Sequence, residues 1–297
     1  MRSICKGLTA AAVSLAVLFI ISSVFLTPRD PMSDQLPLTY GDLMRAPLRM
    51  AMDEPRLVQH VRRLLNAPSS QPYRLQRGDL NDTSQAGQLA YLRRLVAGKR
   101  GGTFFEAGAY DGEIHSNTLY FERFLDWTGV LVEAEDWNYK NLLLRHRRAV
   151  TLNACVSPAR YPQEFGFEHN PGTLVSYVEP EFERADLDSQ LRLKQCFPLY
   201  TILLACDLTT LDLLTLDVEG IDSLVLHTIP WNRVDIKIVM VEYVQPGVQN
   251  NDGSFNPIYE QPITNLMVEN GYLLVHRLET DLIFVKNGSE YARAITS

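Results

Sequence analysis

Histidine and cysteine are scarce in this 297-residue chain, six and four respectively, and what is missing around them excludes whole chemistries. His60, His115, His146, His169, His227 and His276 form no H-E-x-x-H or other paired-ligand spacing, so no metal site is expected from them. The cysteines show no C-x-x-C, and four are too few for a disulfide-built scaffold. A G-x-S-x-G elbow and a P-loop are both absent, which sets aside hydrolase and nucleotide-triphosphatase readings. Basic charge is short as well. There are 35 acids against 28 bases, a net charge of −7, and no acid precedes Asp30. A body that acidic is a poor partner for nucleic acid, and none is expected. Hydrophobic residues at 46% and charged residues at 21% are ordinary for a globular protein and exclude wholesale disorder.

Charge is missing altogether from Leu8 to Leu26, LTAAAVSLAVLFIISSVFL. That stretch matches the ~20 residues a helix needs to cross a bilayer. Its Leu, Ile, Val and Phe residues together favour insertion by about 5 kcal/mol. The competing reading is a cleaved signal peptide, whose apolar core is usually ~7–15 residues. Here the core is longer and ends in Phe25-Leu26-Thr27-Pro28, a poor cleavage site. The expectation is therefore a signal anchor: residues 1–7 cytosolic, 8–26 transmembrane, the remainder lumenal. Arg2 and Lys6 before the span, against Arg29 cancelled by Asp30 after it, set that type II orientation. The sequons Asn81-Asp82-Thr83 and Asn287-Gly288-Ser289 agree as glycosylation sites. In an oxidising lumen Cys155, Cys196 and Cys206 suggest one disulfide and one spare thiol. Cys206 ends the apolar run TILLAC, which reads as a buried helix, so Cys155–Cys196 is the expected pair.

Residues 27–84 read as a stem containing one short amphipathic helix, 53–66, packed on the main domain, with PSSQPYRL after it as a linker. From Gln85 to about residue 290 apolar runs alternate with helical stretches, the pattern of a parallel sheet with crossover helices. Strands are expected at 103–107, 129–134, 149–155, 212–218 and 236–244, and helices at 116–126, 136–147, 220–228 and 258–270. The ending GYLLVHRLETDLIFVKN gives strands 271–278 and 281–286, joined too tightly for a crossover and hence an antiparallel hairpin. Residues 157–198 interrupt the alternation with an insertion whose charged run PEFERADLDSQLRLK reads as helical. Five parallel strands with a terminal antiparallel hairpin outline an α/β, Rossmann-like class I methyltransferase fold.

The first strand runs into Glu106-Ala107-Gly108-Ala109-Tyr110-Asp111-Gly112. Glycines there allow a sharp turn and a close approach to a ligand, and the next helix N-terminus offers amide groups to a carboxylate or phosphate. A tight turn without a ligand would look the same. Glu133 ends the second strand, 25 residues after Gly108, where a carboxylate accepts from ribose hydroxyls, although Glu135 and Asp136 crowd the assignment. Strict G-x-G-x-x-G is absent, which favours S-adenosylmethionine over a nicotinamide dinucleotide. Asp217-Val218-Glu219-Gly220 closes the fourth strand, with two acids on one face at the switch point of the sheet. They suit a cationic cofactor end, an acceptor hydroxyl or a base, or else a cap for the following helix, a role open to Asp222 too. Glu242 ends the fifth strand facing the same crevice. His115 is a candidate base or a surface histidine, and QPGVQNNDGSFNP (245–257) a candidate lid.

GTFFEAGAYDGEIHSNTLYFERFLDWTGVLVEAE with LLTLDVEGID resembles the FkbM-type methyltransferase domain, over roughly residues 85–290. DEPRLVQHVRRLLNAPSSQPYRL, SNTLYFER, NACVSP, QCFPLY and DVEGIDSLVLHTIPWNRVDIKIVMVEY further resemble the Star family, animal type II membrane proteins of the secretory pathway that carry such a domain. The FkbM resemblance implies S-adenosylmethionine as cofactor. Glu106, Gly108 and Gly112, with Ala109 in their turn, would hold its amino-acid end, and Glu133 its ribose. Asp217 and Glu219 would sit at the reaction centre. Many FkbM enzymes have a lysine two residues before that aspartate, where this chain has Thr215. The Star resemblance implies transport of a membrane-bound growth-factor precursor from endoplasmic reticulum to Golgi, with the domain binding a transmembrane cargo.

Overall fold

A computed structural model describes residues 39–44, 49–168, 178–179, 191–244 and 256–296. All of these belong to the second of two units into which the chain divides, Leu38–Ser297. No helix among the described residues is long and apolar enough to cross a membrane; the candidate anchor 8–26 lies outside them, as does most of the candidate lid.

Runs such as TFFEA, TLDLLTL and DIKIVMVE are rich in branched and aromatic residues and apolar on both faces, the composition of strands covered on two sides. They form β1 (Thr103–Ala107), β2 (Thr128–Glu133), β3 (Val150–Asn153), β4 (Cys155–Val156), β5 (Gln163–Glu168), β6 (Val178–Glu179), β7 (Leu191–Phe197), β8 (Thr210–Leu216), β9 (Asp235–Glu242), β10 (Tyr272–Arg277) and β11 (Asp281–Lys286). The main sheet has seven strands in the order β10-β11-β9-β8-β1-β2-β3. The contacts among β3, β2, β1, β8 and β9 are parallel, while β11 runs antiparallel to both β9 and β10. This is the five-strand sheet with a terminal hairpin that the sequence pattern predicts, in the Rossmann-like methyltransferase arrangement.

Strand alternation sends Phe105, Val132, Leu214 and Val239 to one face, where helices Pro55–Leu64, Leu199–Ala205, Asp222–Thr228 and Glu260–Glu269 cover them. Phe104, Leu131, Leu213, Ile238 and Ile283 pack on the other face against Gln88–Val96, Leu119–Leu125 and Glu290–Thr296. The helix expected at 53–66 forms as Pro55–Leu64, burying Leu57 and Val61. Its Arg62 donates to the carbonyls of Leu204 and Ala205, the exposed end of the helix Leu199–Ala205.

Four expectations need correction. Residues 66–77 are not a free linker: Asn66 bridges to Thr151, Ser69 N donates to Arg147 O, and Arg74 N to Arg145 O. Gln76 N and Arg77 N then bind the Glu113 carboxylate at 2.7 and 2.6 Å, so the segment straps the β3 edge to the turn after β1. The strand expected at 149–155 breaks at Ala154, and its second piece, β4, leaves for another sheet. The charged run expected to be helical ends in strand β7 from Leu191 onwards, in a four-stranded sheet ordered β4-β7-β5-β6; residues 180–190 lie outside the described set. Finally, the helix Gln88–Val96 was not among the expected helices, although Leu89, Leu92, Leu95 and Val96 have helical spacing and are buried.

The disulfide forms between Cys155 and Cys196, which face each other in the β4–β7 register. Cys206 is free, and burial pushes its thiol up to about 12, which leaves it unreactive at neutral pH. Asn81 and Asn287 are both exposed.

Candidate functional site

The strand ends bring a row of acids together. Phe104, Leu131, Leu213, Ile238 and Met240 share one face of the sheet. By alternation that face ends in Glu133 on β2, Glu106 on β1, Asp217 just beyond β8, and Glu242 on β9. Asp281 opens β11 directly opposite Glu242. Five neighbouring strands therefore each bring a carboxylate to the carboxyl edge of the parallel sheet, where open α/β folds bind ligands.

Gly108 makes the central turn possible. Its φ is +81°, and a Cβ there would lie 1.9 Å from the Asp217 carbonyl oxygen, so the two strand ends meet only at glycine. Gly112 is also left-handed, at φ +75°, and a Cβ there would stand 3.0 Å from Leu142 Cγ, a tight contact with a side chain rather than a clash with backbone. The amides of this turn are committed inside the protein. Gly108 N and Ala109 N donate to Val132 O, Gly112 N to Ala109 O, and Tyr110 N to Glu133. Ser116 Oγ accepts from Leu119 N at the helix that follows. Asn117 N donates to Glu106 and Thr118 N to Ser116 Oγ, so three of the amides leading into that helix are already occupied.

Glu106 points inward. Its oxygens accept from Ser116 Oγ at 3.1 Å, Asn117 N at 2.8 Å and the Thr118 hydroxyl. Burial raises its pKa, opposed chiefly by the Arg147 guanidinium. Arg147, fully buried, pairs with Glu122 at 3.0 Å and donates to Gly112 O. Glu106 thus shapes the turn from below.

Glu133 closes β2 at the carboxyl edge of the sheet and is only 7% exposed. It accepts from Glu135 N at 2.7 Å and Tyr110 N at 2.8 Å, one bond per oxygen, leaving lone pairs for further donors. Burial pushes its pKa up to about 7. Its crowded neighbours have other tasks. Glu135 caps the helix Asp136–Leu144 through Asn138 N, and Asp136 accepts from Lys194 and Asn153. Beyond β8 no side chain caps the helix Asp222–Thr228; Asp222 instead holds the turn before it, accepting from Val218 N at 3.0 Å and Gly220 N at 3.1 Å.

Asp217 is exposed to solvent yet closely surrounded by protein, as the floor of a cleft would be. Burial and then the charges of Glu219 and Asp222 raise its pKa well above the usual carboxylate range. Glu219, at φ +57°, rises to about 8, and Glu242 to about 11, in both cases mainly through burial and then through neighbouring acids. Oxygens of Asp217, Glu219 and Glu242 lie within 4.8 Å of one another. Asp281, not singled out from the sequence, is held by Gln88 Nε2 at 2.9 Å. Its signal was an acid at the hairpin turn, which reads as an ordinary turn residue. His115 is half-buried at φ +60°, its pKa lowered by burial, with Asp111 as its charged neighbour rather than the acids beyond β8.

The methyltransferase FkbM domain matches residues 106–274. The chain belongs to that family. The matched span opens on Glu106 and takes in the glycine turn, Glu133, the inserted sheet, Asp217, Glu219 and Glu242, so the FkbM domain contains all of the row except Asp281. No curated protein matches the chain. Among solved structures it is similar to precorrin-6y C5,15-methyltransferase from Geobacter metallireducens at 10% identity and a TM-score of 0.38, covering 72% of this chain and 94% of that one. A putative RNA methyltransferase, PH1948 from Pyrococcus horikoshii, has 12% identity and a TM-score of 0.36, with 78% and 96% covered. A SAM-dependent methyltransferase from Geobacter sulfurreducens in complex with S-adenosyl-L-homocysteine has 10% identity and a TM-score of 0.34, with 76% and 74% covered.

The donor set suits S-adenosylmethionine as cofactor of this FkbM domain. Its adenosine offers two ribose hydroxyls to the open lone pairs of Glu133, and its cationic end suits Asp217, whose strongest charged influences are all acids and whose ionised form a cation would favour. Residues that would hold it lie on three adjacent strand ends around Gly108.

Proposed function

We propose that this FkbM domain transfers a methyl group from S-adenosylmethionine to a hydroxyl or carboxyl oxygen. The observation that carries this reading is the solvent-facing pair Asp217 and Glu219 beside a turn that only glycine can make, with Glu133 one strand away. When bound, the cofactor supplies a methyl group on a positively charged sulfur, open to displacement by an oxygen. Glu133 orients the ribose once its carboxyl has lost its proton, a state that Tyr110 N and Glu135 N stabilise. Asp217 pairs with the cationic end. Glu219 has a pKa near 8, matched to neutral pH, and serves as the base that takes the proton of an acceptor hydroxyl. Calorimetry on the full chain in detergent micelles tests the reading. Micromolar binding of the cofactor, lost in Glu133→Ala, is the expected result; no heat at millimolar cofactor sinks it.

One observation favours a second reading. A disulfide between Cys155 and Cys196 belongs to an oxidising compartment, whereas the cofactor is made in the cytosol and would have to be brought in. On this reading the chain is a Star-like, type II single-pass protein of the endoplasmic reticulum, Golgi or endosomes. Its lumenal domain binds a transmembrane cargo, such as a growth-factor precursor, during vesicle-mediated transport. Deleting residues 1–29 should then abolish its effect on cargo export, and unaltered export by the soluble fragment would refute the role.

A further inference from the structure

The acids beyond β8 and β9 form a cluster that methyl-donor binding does not fully employ. Carboxylate oxygens of Asp217, Glu219 and Glu242, one from each residue, come within 4.8 Å of one another. The charges acting most strongly on them are all negative. Glu219, Asp222, Asp281 and Glu106 act on Asp217; Asp222 and Glu133 act on Glu219; Asp217, Asp222, Glu219 and Asp281 act on Glu242. Glu242 Oε2 is buried without a hydrogen-bond partner among the described residues.

Thr215 adds an observation independent of charge. Its side chain is 2% exposed and its hydroxyl has no partner among the described residues. Alternation puts it on the face of β8 that carries Asp217, one step beneath that residue. Register seats it between Glu106 and Met240, and the next residue of β9 on that face is Glu242. A buried hydroxyl is seldom left unpaired, since the cost of desolvating it is then uncompensated. Here it lies at the base of the carboxylate cluster, where a ligand would complete it.

We propose that Asp217, Glu219 and Glu242 bind a divalent cation of the Mg2+ or Mn2+ class, one oxygen each, with a cation-bound water serving the Thr215 hydroxyl. Three carboxylates without imidazole or thiolate select hard cations over zinc or copper. In an octahedral ion with bonds of 2.0–2.1 Å adjacent ligands stand about 2.9 Å apart and opposite ones about 4.2 Å, so the three oxygens, now within 4.8 Å of one another, would draw together on the ion by up to about 2 Å, a movement within reach of side-chain rotation. Three protein oxygens leave positions for water and for an acceptor oxygen, which the cation would hold and acidify as a Lewis acid. That last role rests on the methyl-transfer reading, in which the second oxygens of Asp217 and Glu219 stay open to the cofactor's cationic end and to the acceptor's proton; binding of the cation itself does not. Histidine and cysteine spacing gave no sign of the site, because its ligands come from the ends of two strands.

Mn2+ alone, added to the full chain in detergent micelles without cofactor, tests the site by thermal melting and by electron paramagnetic resonance. One bound ion per chain and a rise in Tm of roughly 5–10 °C at a hundredfold excess over Kd are expected. Asp217→Asn and Glu242→Gln should each remove that rise, and both should melt at or above the metal-free wild type, because acid–acid repulsion is relieved. Thr215→Val should weaken binding without abolishing it. No rise at millimolar Mn2+, or an undiminished rise in both neutral variants, overturns the proposal. Cofactor titrated in EDTA separates the two readings. Cofactor binding without any Mn2+ site refutes only the cation; an Mn2+ site without cofactor binding refutes only the methyl donor.

Discussion

Glu133 is a carboxyl whose ionisation works against the fold. Its pKa rises from 4.5 to about 7 because burial penalises the charge more than two amide hydrogen bonds repay. The native state therefore holds a proton there that the unfolded chain has already released. Stability from this group is fully present below about pH 4.5 and is lost as pH climbs to about 7 and beyond. The loss is on the order of 1–3 kcal/mol. Thermal melts between pH 5 and 8 in EDTA should show Tm falling, and Glu133→Gln should flatten the part of the fall due to this residue. An unchanged slope in the variant would mean that the carboxyl titrates normally. Gly108→Ala makes a second test at this scale. The Cβ clash with the Asp217 carbonyl and the left-handed φ predict a loss of about 2 kcal/mol or more in urea denaturation. Glu133, Gly108, Asp217 and Glu219 were legible beforehand because each sits at a strand end with a turn beside it. Glu106 was legible in position but not in direction. Nothing in EAGAYDGEIHSNT tells that Ser116 and Thr118 fold back onto it.

Arg147 ties elements together and shows how the turn is held. It reaches from the residues before β3 to Glu122 on the helix Leu119–Leu125, to Gly112 O and to the hydroxyls of Ser116 and Thr118. Arg147→Met would leave Glu122 buried without its cation and remove the charge that opposes burial at Glu106. A loss of about 3–5 kcal/mol in denaturant titration is expected, and less than 1 kcal/mol would show the network to be dispensable. The strands of the main sheet were readable because each is a dense apolar run set between breakers. The inserted sheet was not. In LRLKQCF the charges suggest a solvated helix, while Leu191, Leu193, Gln195 and Phe197 alternate with Arg192, Lys194 and Cys196 in a strand fixed by pairing 30 residues back. The expected pairing of Cys155 with Cys196 joined this segment to the residues just after β3 without giving it a strand. Lys194 on that strand pairs with Asp136 and lowers the pKa of Glu133, so the insertion borders the candidate ribose site.

At the scale of the whole molecule, three independent features bear on which side of a bilayer the domain occupies. On the proposed type II topology the uncharged stretch 8–26, with basic residues before it, would set the orientation; a disulfide suits an oxidising surrounding, and both sequon asparagines are exposed. Asn287 follows β11, which runs antiparallel to β9, so a glycan there would stand at the opposite end of the sheet from the row of acids. The chain expressed in animal cells should carry two N-linked glycans, with Asn81→Gln and Asn287→Gln each removing one step in mass. The domain should resist protease added outside sealed microsomes, and Cys155 with Cys196 should stay unlabelled by thiol reagents until reduced. If both asparagines are bare and the domain is cleaved by outside protease, it faces the cytosol. Cofactor would then be at hand, the cargo role would lose its ground, and methyl transfer would stand alone.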